Sequence, residues 1–184
     1  MPNYYEKLPM LRLVEPAPIY KSAILAAVPE MHAIGEWNVT PDAFAARFDD
    51  MLREIAAAKD PATAPPGVLP FEDYWLMDED VWIGLLTLRP QINEQYLHSG
   101  GHIGYVIRPS KRRSGYGTAI LRLGLEKART RGLQRVLLTC DETNLGSRKI
   151  IEANGGQLEN AVAVEGQSAL KLRYWINMDE PSTA

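Results

Sequence analysis

Cysteine is almost missing from this sequence: Cys140 is the only one among 184 residues. An intrachain disulfide is therefore excluded, and the pattern fits a reducing cytoplasm. Cys140 closes the apolar run Val136-Leu137-Leu138. It reads as a small buried core residue, because no base that would activate a thiol stands beside it. Long hydrophobic runs are missing too. The best, Ala23 to Val28, is far too short to span a bilayer. Met1 to Leu8 has no basic stretch followed by an apolar core, so it does not read as a secretory leader. There is no internal repeat and no low-complexity tract. These absences lead us to expect a cytoplasmic protein without a membrane partner. What is present, 46% hydrophobic and 23% charged residues, suits one ordinary core. We expect a single domain over residues 1–184 with its core in 10–177.

Net charge is scarce as well, at −3, but it is unevenly spread. Residues 1–107 carry 7 Lys/Arg and 15 Asp/Glu, whereas residues 108–135 carry 9 Lys/Arg and one acid, Glu126. A basic island in an acidic chain attracts polyanions, either nucleic acid or a phosphorylated small molecule. Arg122, Lys127 and Arg129 read as the solvated face of a helix. Arg108, Lys111, Arg112 and Arg113 precede that helix and need another account. The island lacks interleaved aromatics and the rest of the chain is acidic, which argues against nucleic acid as the partner.

Periodicity and turn residues predict the elements in order. Met10 to Glu15 reads as a strand and Ile19 to Ile34 as a helix. Thr40-Pro41 opens a second helix, with Phe44, Phe48, Met51, Leu52 and Ile55 on one face. Lys59 to Pro70 is a proline-rich loop. Tyr74 to Met77 and Val81 to Leu88 form a hairpin around Asp78-Glu79-Asp80, whose charges read as solvated rather than metal-binding. His102 to Arg108 is a strand, 115–131 a helix stopped by Gly132, and Gln134 to Cys140 a strand buried on both faces. A short helix, Asn144 to Ala153, ends at Gly155-Gly156. Gln157 to Val164 and Ala169 to Asn177 close the chain as an antiparallel pair. The order implies an α/β (α+β) domain, a mixed sheet with helices on both faces.

The most informative stretch is Val106-Ile107-Arg108-Pro109-Ser110-Lys111-Arg112-Arg113-Ser114-Gly115-Tyr116-Gly117-Thr118. A strand ends, a basic turn follows, and a helix opens at Gly115. The first N–H groups of a helix have no internal partners and sit at the positive end of its dipole. Glycine lets a ligand approach the backbone closely. A diphosphate can therefore rest on the N–H groups of Arg113 to Thr118 with arginine charge beside it. A P-loop would need Lys-Ser/Thr after the last glycine, and a dinucleotide fingerprint a third glycine where Ile120 stands.

Arg112-x-x-Gly115-x-Gly117 after a strand resembles the acyl-CoA motif of the GNAT superfamily of N-acetyltransferases. The following strand, then Asn144, a short helix and Gly155, keep that family's spacing. Arg89, Asn93, Gly100-Gly101-His102-Ile103-Gly104-Tyr105 and Asn154-Gly155-Gly156 also resemble a bacterial subgroup of it. The resemblance spans most of residues 10–177 and is densest over 100–156. It implies a mixed, mostly antiparallel central sheet of about seven strands flanked by helices on both faces. It implies acetyl-CoA as acyl donor, with CoA as product, no metal, and an amine acceptor that stays unidentified. By the same resemblance the strand Tyr105-Val106-Ile107 splays from Leu138 to Cys140, and pantetheine pairs with its edge. An N–H of Val106 or Ile107 would polarise the thioester carbonyl, a contribution on the order of 3 kcal/mol. Ser114, Tyr116 and Thr118 would complete the diphosphate turn, and Asn144 and Ser147 would meet the pantetheine arm. Ile151 stands where many members have a proton-donating tyrosine.

Three residues are candidates for catalysis. His102 is the leading base, because histidine titrates near neutrality; a backbone-bonded strand-end histidine is its plainer reading. Tyr105 is the second base. Ser147 could orient water or meet the sulfur, or make a local backbone bond instead. The first two helices and the 59–70 loop should frame the acceptor, and the acid excess of residues 1–107 weakly favours a cationic amine there. Trp37, Tyr74, Trp75, Trp82 and Trp175 could line that pocket. We expect a monomer or homodimer. The competing reading is an acyl-CoA-binding sensor or structural module with little catalysis.

Overall fold

The computed structural model describes residues 11–178, so the reading of Met1 to Leu8 lies outside the described residues. The chain runs β1 (Leu11–Val14), a 3-10 turn (Pro18–Tyr20), α1 (Lys21–Leu25), α2 (Val28–Ala33), α3 (Pro41–Ala58), β2 (Glu72–Asp78) and β3 (Val81–Leu88). It continues with α4 (Glu94–His98), β4 (Ile103–Ile107), α5 (Tyr116–Thr130), β5 (Arg135–Asp141), α6 (Leu145–Ala153), β6 (Gln157–Val162) and β7 (Lys171–Asn177). Two departures from the sequence reading are local. The helix expected over 19–34 is broken in two. Pro29 in the first turn of α2 has no N–H to give and crowds the preceding turn, so α2 restarts there. The short α4 was not expected; Asn93 caps it, its side chain accepting from Tyr96 N–H at 3.1 Å.

Seven strands form, but in two sheets rather than one: β1-β2-β3-β4 and β5-β7-β6, every pair antiparallel. The single seven-stranded sheet is thus corrected to a four-plus-three arrangement. The sheets meet where the chain enters β4. His102 N–H donates to Leu137 O (2.8 Å), and Gly100 N–H to Thr139 Oγ1 (2.7 Å). Leu137 N–H donates to the His102 ring at Nδ1 (3.0 Å). An imidazole here takes the donor that a strand carbonyl would take in a continued ladder. Beyond this point β4 and β5 part.

Alternation along the strands gives the first sheet two buried faces. Tyr74, Leu76 and Leu86 join α5, α6 and the second sheet in one core. Trp75, Met77 and Trp82 join α1, α2 and α3 in the other. The α3 face predicted from Phe44, Phe48, Met51 and Leu52 packs there, with Thr40 Oγ1 capping from outside.

Gly101 makes the junction possible. Its φ is +64°, and a Cβ on it would lie 2.3 Å from Leu137 O. Neither the left-handed backbone nor the facing carbonyl can give way. Gly101→Ala is expected to cost roughly 3 kcal/mol of stability. A urea unfolding midpoint lowered accordingly, at unchanged slope, checks it.

Candidate active site

The parting of β4 from β5 exposes one edge of β4, and the register says which groups it offers. Arg89 N–H donates to His102 O (2.7 Å) and Arg108 N–H to Ile83 O (2.9 Å), at the two ends of the β3–β4 ladder. Alternation in an antiparallel pair then turns the backbone of Gly104 and Val106 toward β3, and that of Ile103, Tyr105 and Ile107 outward. Val106 is therefore corrected as a donor to a ligand. Its N–H belongs to the sheet, and its side chain packs in the α1–α3 core. The outward N–H groups of Tyr105 and Ile107 are the ones a bound chain can pair with.

The turn after β4 leads to α5. Gly115 (φ +82°) stands at its N-cap, and no side chain of the described residues caps that end. The first internal bond is Ala119 N–H to Gly115 O (3.1 Å), which leaves the N–H groups of Tyr116, Gly117 and Thr118 without helical partners. Nothing lies within 4 Å of where a Gly115 Cβ would be. Gly117 serves packing instead, because a Cβ there would come 2.4 Å from Ile150 Cδ1 on α6. Tyr116 pins the helix start to the β2–β3 hairpin, its hydroxyl donating to Asp78 at 2.6 Å. Burial, with Asp78 beside it, pushes that phenol up to about 12. Ser114 Oγ turns to Arg112 O (3.4 Å). An uncapped, glycine-opened helix end beside an unpaired strand edge fits a diphosphate and the arm attached to it.

The basic residues divide in a way their spacing did not show. Arg108 Nη2 pairs with Glu30 at 2.6 Å and also donates to Ala26 O. Arg112 pairs with Glu36 at 2.6 Å while its Nε donates to Ile107 O at 2.9 Å. Both arginines thus tie the turn to the α2 region, and Arg112 holds the exit of β4. Arg113 is exposed with φ +62°. Further along, Arg122 pairs with Glu126 and Arg131 with Glu72. Three of the island's nine basic residues are thus answered by acids from elsewhere in the chain, and Arg122 by the island's own acid. The island's link to α2 depends on pH. Hydrogen bonding from Arg108, foremost, holds the Glu30 carboxyl down at about 2. A lowered acid stabilises the fold above its ordinary value of about 4.5, and the gain is lost as pH falls toward 2. Glu30→Gln is expected to flatten the decline of unfolding free energy between pH 5 and 2, measured by denaturant titration.

The catalytic candidates fall on both sides of the split. Tyr105 reaches across from β4, its hydroxyl 3.0 Å from Ser147 Oγ in the first turn of α6. Burial pushes this phenol up to about 12. It keeps its proton near neutrality, which suits a donor rather than the base first considered. His102 does not join this pair. Its Nδ1 lone pair receives Leu137 N–H, burial lowers its basicity, and its ring packs near Trp175 (6.1 Å). Asn144 caps α6, its Oδ1 accepting from Ser147 N–H at 3.0 Å. Ile151 is wholly buried in the core, so α6 brings no acid from that position. Cys140 is buried too, and burial raises its thiol.

On the opposite face of the first sheet lies a cleft of about 430 Å³. Ile24 of α1, Glu36 to Val39, the α3 residues Phe44, Met51 and Ile55, and Asp73, Trp75 and Leu85 of the sheet line it. Of the five aromatics proposed for an acceptor pocket, Trp37 and Trp75 are here. Tyr74 faces the other core, Trp82 lies beneath Trp37 (centroids 5.5 Å), and Trp175 belongs to the second sheet. The 59–70 loop does not line the cleft; Lys59 instead pairs with Glu15 at 2.7 Å. Asp73 escaped the sequence reading, which began the strand one residue later. Its odd parity with Trp75 and Met77 was the available signal.

Residues 10–157 match the family model described as an acetyltransferase (GNAT) domain. The chain belongs to the GNAT acetyltransferase family. Solved structures share the fold at low identity. RimJ of Mycobacterium smegmatis, in complex with CoA-disulfide, is 18% identical with a TM-score of 0.65, covering 91% of this chain and 80% of that one. The microcin self-immunity acetyltransferase MccE, in complex with acetyl-CoA and AMP, is 12% identical with a TM-score of 0.65, covering 91% and 92%. An acetyltransferase of Salmonella typhimurium that modifies the N-terminal serine of a 50S ribosomal subunit protein is 15% identical with a TM-score of 0.63, covering 92% and 96%. No protein of curated function matches the chain. No helix among the described residues is long and apolar enough to cross a membrane. Among them, too, no group of three or more His, Cys, Asp or Glu is placed to hold a metal ion.

Proposed function

We propose that the protein is an N-acetyltransferase that moves an acetyl group from acetyl-CoA to a primary amine. The observation that carries this reading is the meeting of two features. The uncapped start of α5 follows β4, whose outward N–H groups include those of Ile107 and Tyr105, and the Tyr105 hydroxyl crosses the split to Ser147. Acetyl-CoA supplies an activated thioester. Tyr116, Gly117 and Thr118 hold its diphosphate through their N–H groups, with Arg113 adding charge. The strand edge lines up the pantetheine, and an outward N–H of β4 hydrogen-bonds the carbonyl oxygen as negative charge gathers there. Asn144 engages Ser147 N–H through its Oδ1 and keeps its amide nitrogen for the arm. Tyr105, oriented by Ser147, gives its proton to the departing sulfur, the part the family assigns to a tyrosine at position 151. The proton lost by the attacking amine leaves through water, because the His102 lone pair is engaged. Cys140, buried and alone, fits a reducing compartment, and we place the protein in the cytoplasm. Four of the nine basic residues of the island are ion-paired within the chain, which favours a phosphorylated small molecule over nucleic acid.

One observation favours a second reading. With Ile151 sealed in the core and no base beside the split, the domain is also compatible with acyl-CoA binding without turnover. A thermal-shift titration with CoA and acetyl-CoA, paired with thiol release across an amine panel, separates the two. We expect a raised melting temperature and amine-dependent thiol release with an acetylated product by mass. A shift without release under any amine selects the binding module. No shift at all sinks both.

A further inference from the structure

Asp73 sits at the floor of the aromatic cleft with 9% of its surface exposed. One of its oxygens accepts from Thr87 Oγ1 at 2.6 Å. No ion pair reaches it among the described residues. Lys59 is held by Glu15, and Arg89 stacks on Tyr96, 4.5 Å from the ring centroid. Burial raises the Asp73 carboxyl against the Thr87 bond and the more distant charges of Arg89 and Lys59. A carboxyl that lines an apolar cleft with a single side-chain hydrogen bond has capacity left for a ligand that answers it. Trp37 and Phe44, stacked at 5.5 Å, and Trp75 line the same cleft, and aromatic rings attract a cation.

The register fixes where this carboxylate stands relative to the chemistry. Asp73 pairs with Thr87, and Thr87 with Gly104, in one row across the sheet. Two strand spacings make about 10 Å between Asp73 and β4, and the reacting carbon lies at the outer edge of β4. A base must reach its proton within about 3 Å, so Asp73 is too far to serve the attacked nitrogen. At the near end of the row, Arg89 Nη1 lies 3.8 Å from where a Gly104 Cβ would be. A positive group there disfavours protonation of a nearby amine, whereas Asp73 favours it at the far end.

We propose, building on the transferase reading, that Asp73 determines specificity. The cleft takes an acceptor with two amino groups on an apolar spacer, Asp73 binding the distal ammonium while the neutral amine faces β4. The opposed charges of Asp73 and Arg89 orient such a diamine in one direction.

The probes are p-xylylenediamine and benzylamine. Wild-type enzyme with acetyl-CoA should use the diamine at least about tenfold better in kcat/KM, and Asp73→Asn should raise KM for the diamine about tenfold with kcat, and all benzylamine constants, unchanged. Equal use of the two amines by the wild type, or a loss of kcat with both in the variant, overturns the proposal. Tryptophan-fluorescence titration with p-xylylenediamine gives a second readout that needs no turnover. Weaker binding in Asp73→Asn supports the site, and equal binding overturns it. Thiol release with neither amine, alongside intact diamine binding that weakens in the variant, would count against the transferase reading alone. Asn preserves the shape and can still accept from Thr87, so the variant should fold with undiminished stability.

Discussion

Gly115→Asp is expected to abolish CoA binding while leaving the folded protein as stable as before. The backbone at 115 is left-handed, a conformation that Asp tolerates better than most residues, and the space around its Cβ is open. The new carboxylate stands at the positive end of α5, where a negative side chain is favoured by about 0.5–1 kcal/mol, offsetting the backbone strain. The same charge lies where the diphosphate must sit, turning an attraction into a repulsion. Affinity for CoA should fall at least about 100-fold, or about 3 kcal/mol. Isothermal titration measures the loss, and the melting temperature of the free variant shows that the fold is intact. Gly115→Asn, of the same shape without the charge, should retain a measurable part of the binding. Wild-type affinity in Gly115→Asp would place the diphosphate elsewhere. Arg112 is the less informative target. Arg112→Glu would confront Glu36 and strand the Ile107 carbonyl, mixing folding damage with lost binding.

What could be read from the sequence was local. Gly115 and Gly132 bracket α5, Thr40-Pro41 opens α3, and the Asp78-Glu79-Asp80 turn joins β2 to β3, because each signal is a backbone preference carried by the residue itself. The α1–α2 break has a local cause too, Pro29, but the apolar pattern of 19–34 reads as one helix and hid it. What could not be read depends on partners far along the chain. Arg108 and Arg112 find Glu30 and Glu36 across 78 and 76 residues, and those pairs convert a nominal phosphate-binding cluster into a clamp on α2. The two sheets meet through bonds between Gly100 or His102 and Leu137 or Thr139, more than 30 residues further along. Whether Val106 or Tyr105 offers its N–H is a matter of register, and register is set by the pairing of β4 with β3, not by β4 alone. The same non-locality hid Asp73, whose neighbours in sequence give no hint of the cleft above it.

Tyr105→Phe is expected to lower kcat about 10²- to 10³-fold with little change in the KM for acetyl-CoA. The phenol is buried, its hydroxyl meets Ser147, and its acidity lies at about 12. A group with that value is protonated throughout the working range, so it acts as a donor and its own titration stays out of the pH profile below about pH 10. The wild-type rate should therefore rise with pH as the acceptor amine loses its proton, without an alkaline fall. The defect of Tyr105→Phe should accordingly stay constant between pH 7 and pH 10. It should shrink with an acetyl thioester of a more acidic thiol, which needs less help to leave, whereas a merely structural loss would not depend on the leaving group. Ser147→Ala removes the orienting partner and leaves the donor, so its loss should be nearer tenfold, with the same dependence on the leaving thiol. Full activity in Tyr105→Phe would show that the sulfur leaves unassisted or takes its proton from water, and that the hydroxyl pair across the split only holds β4 to α6.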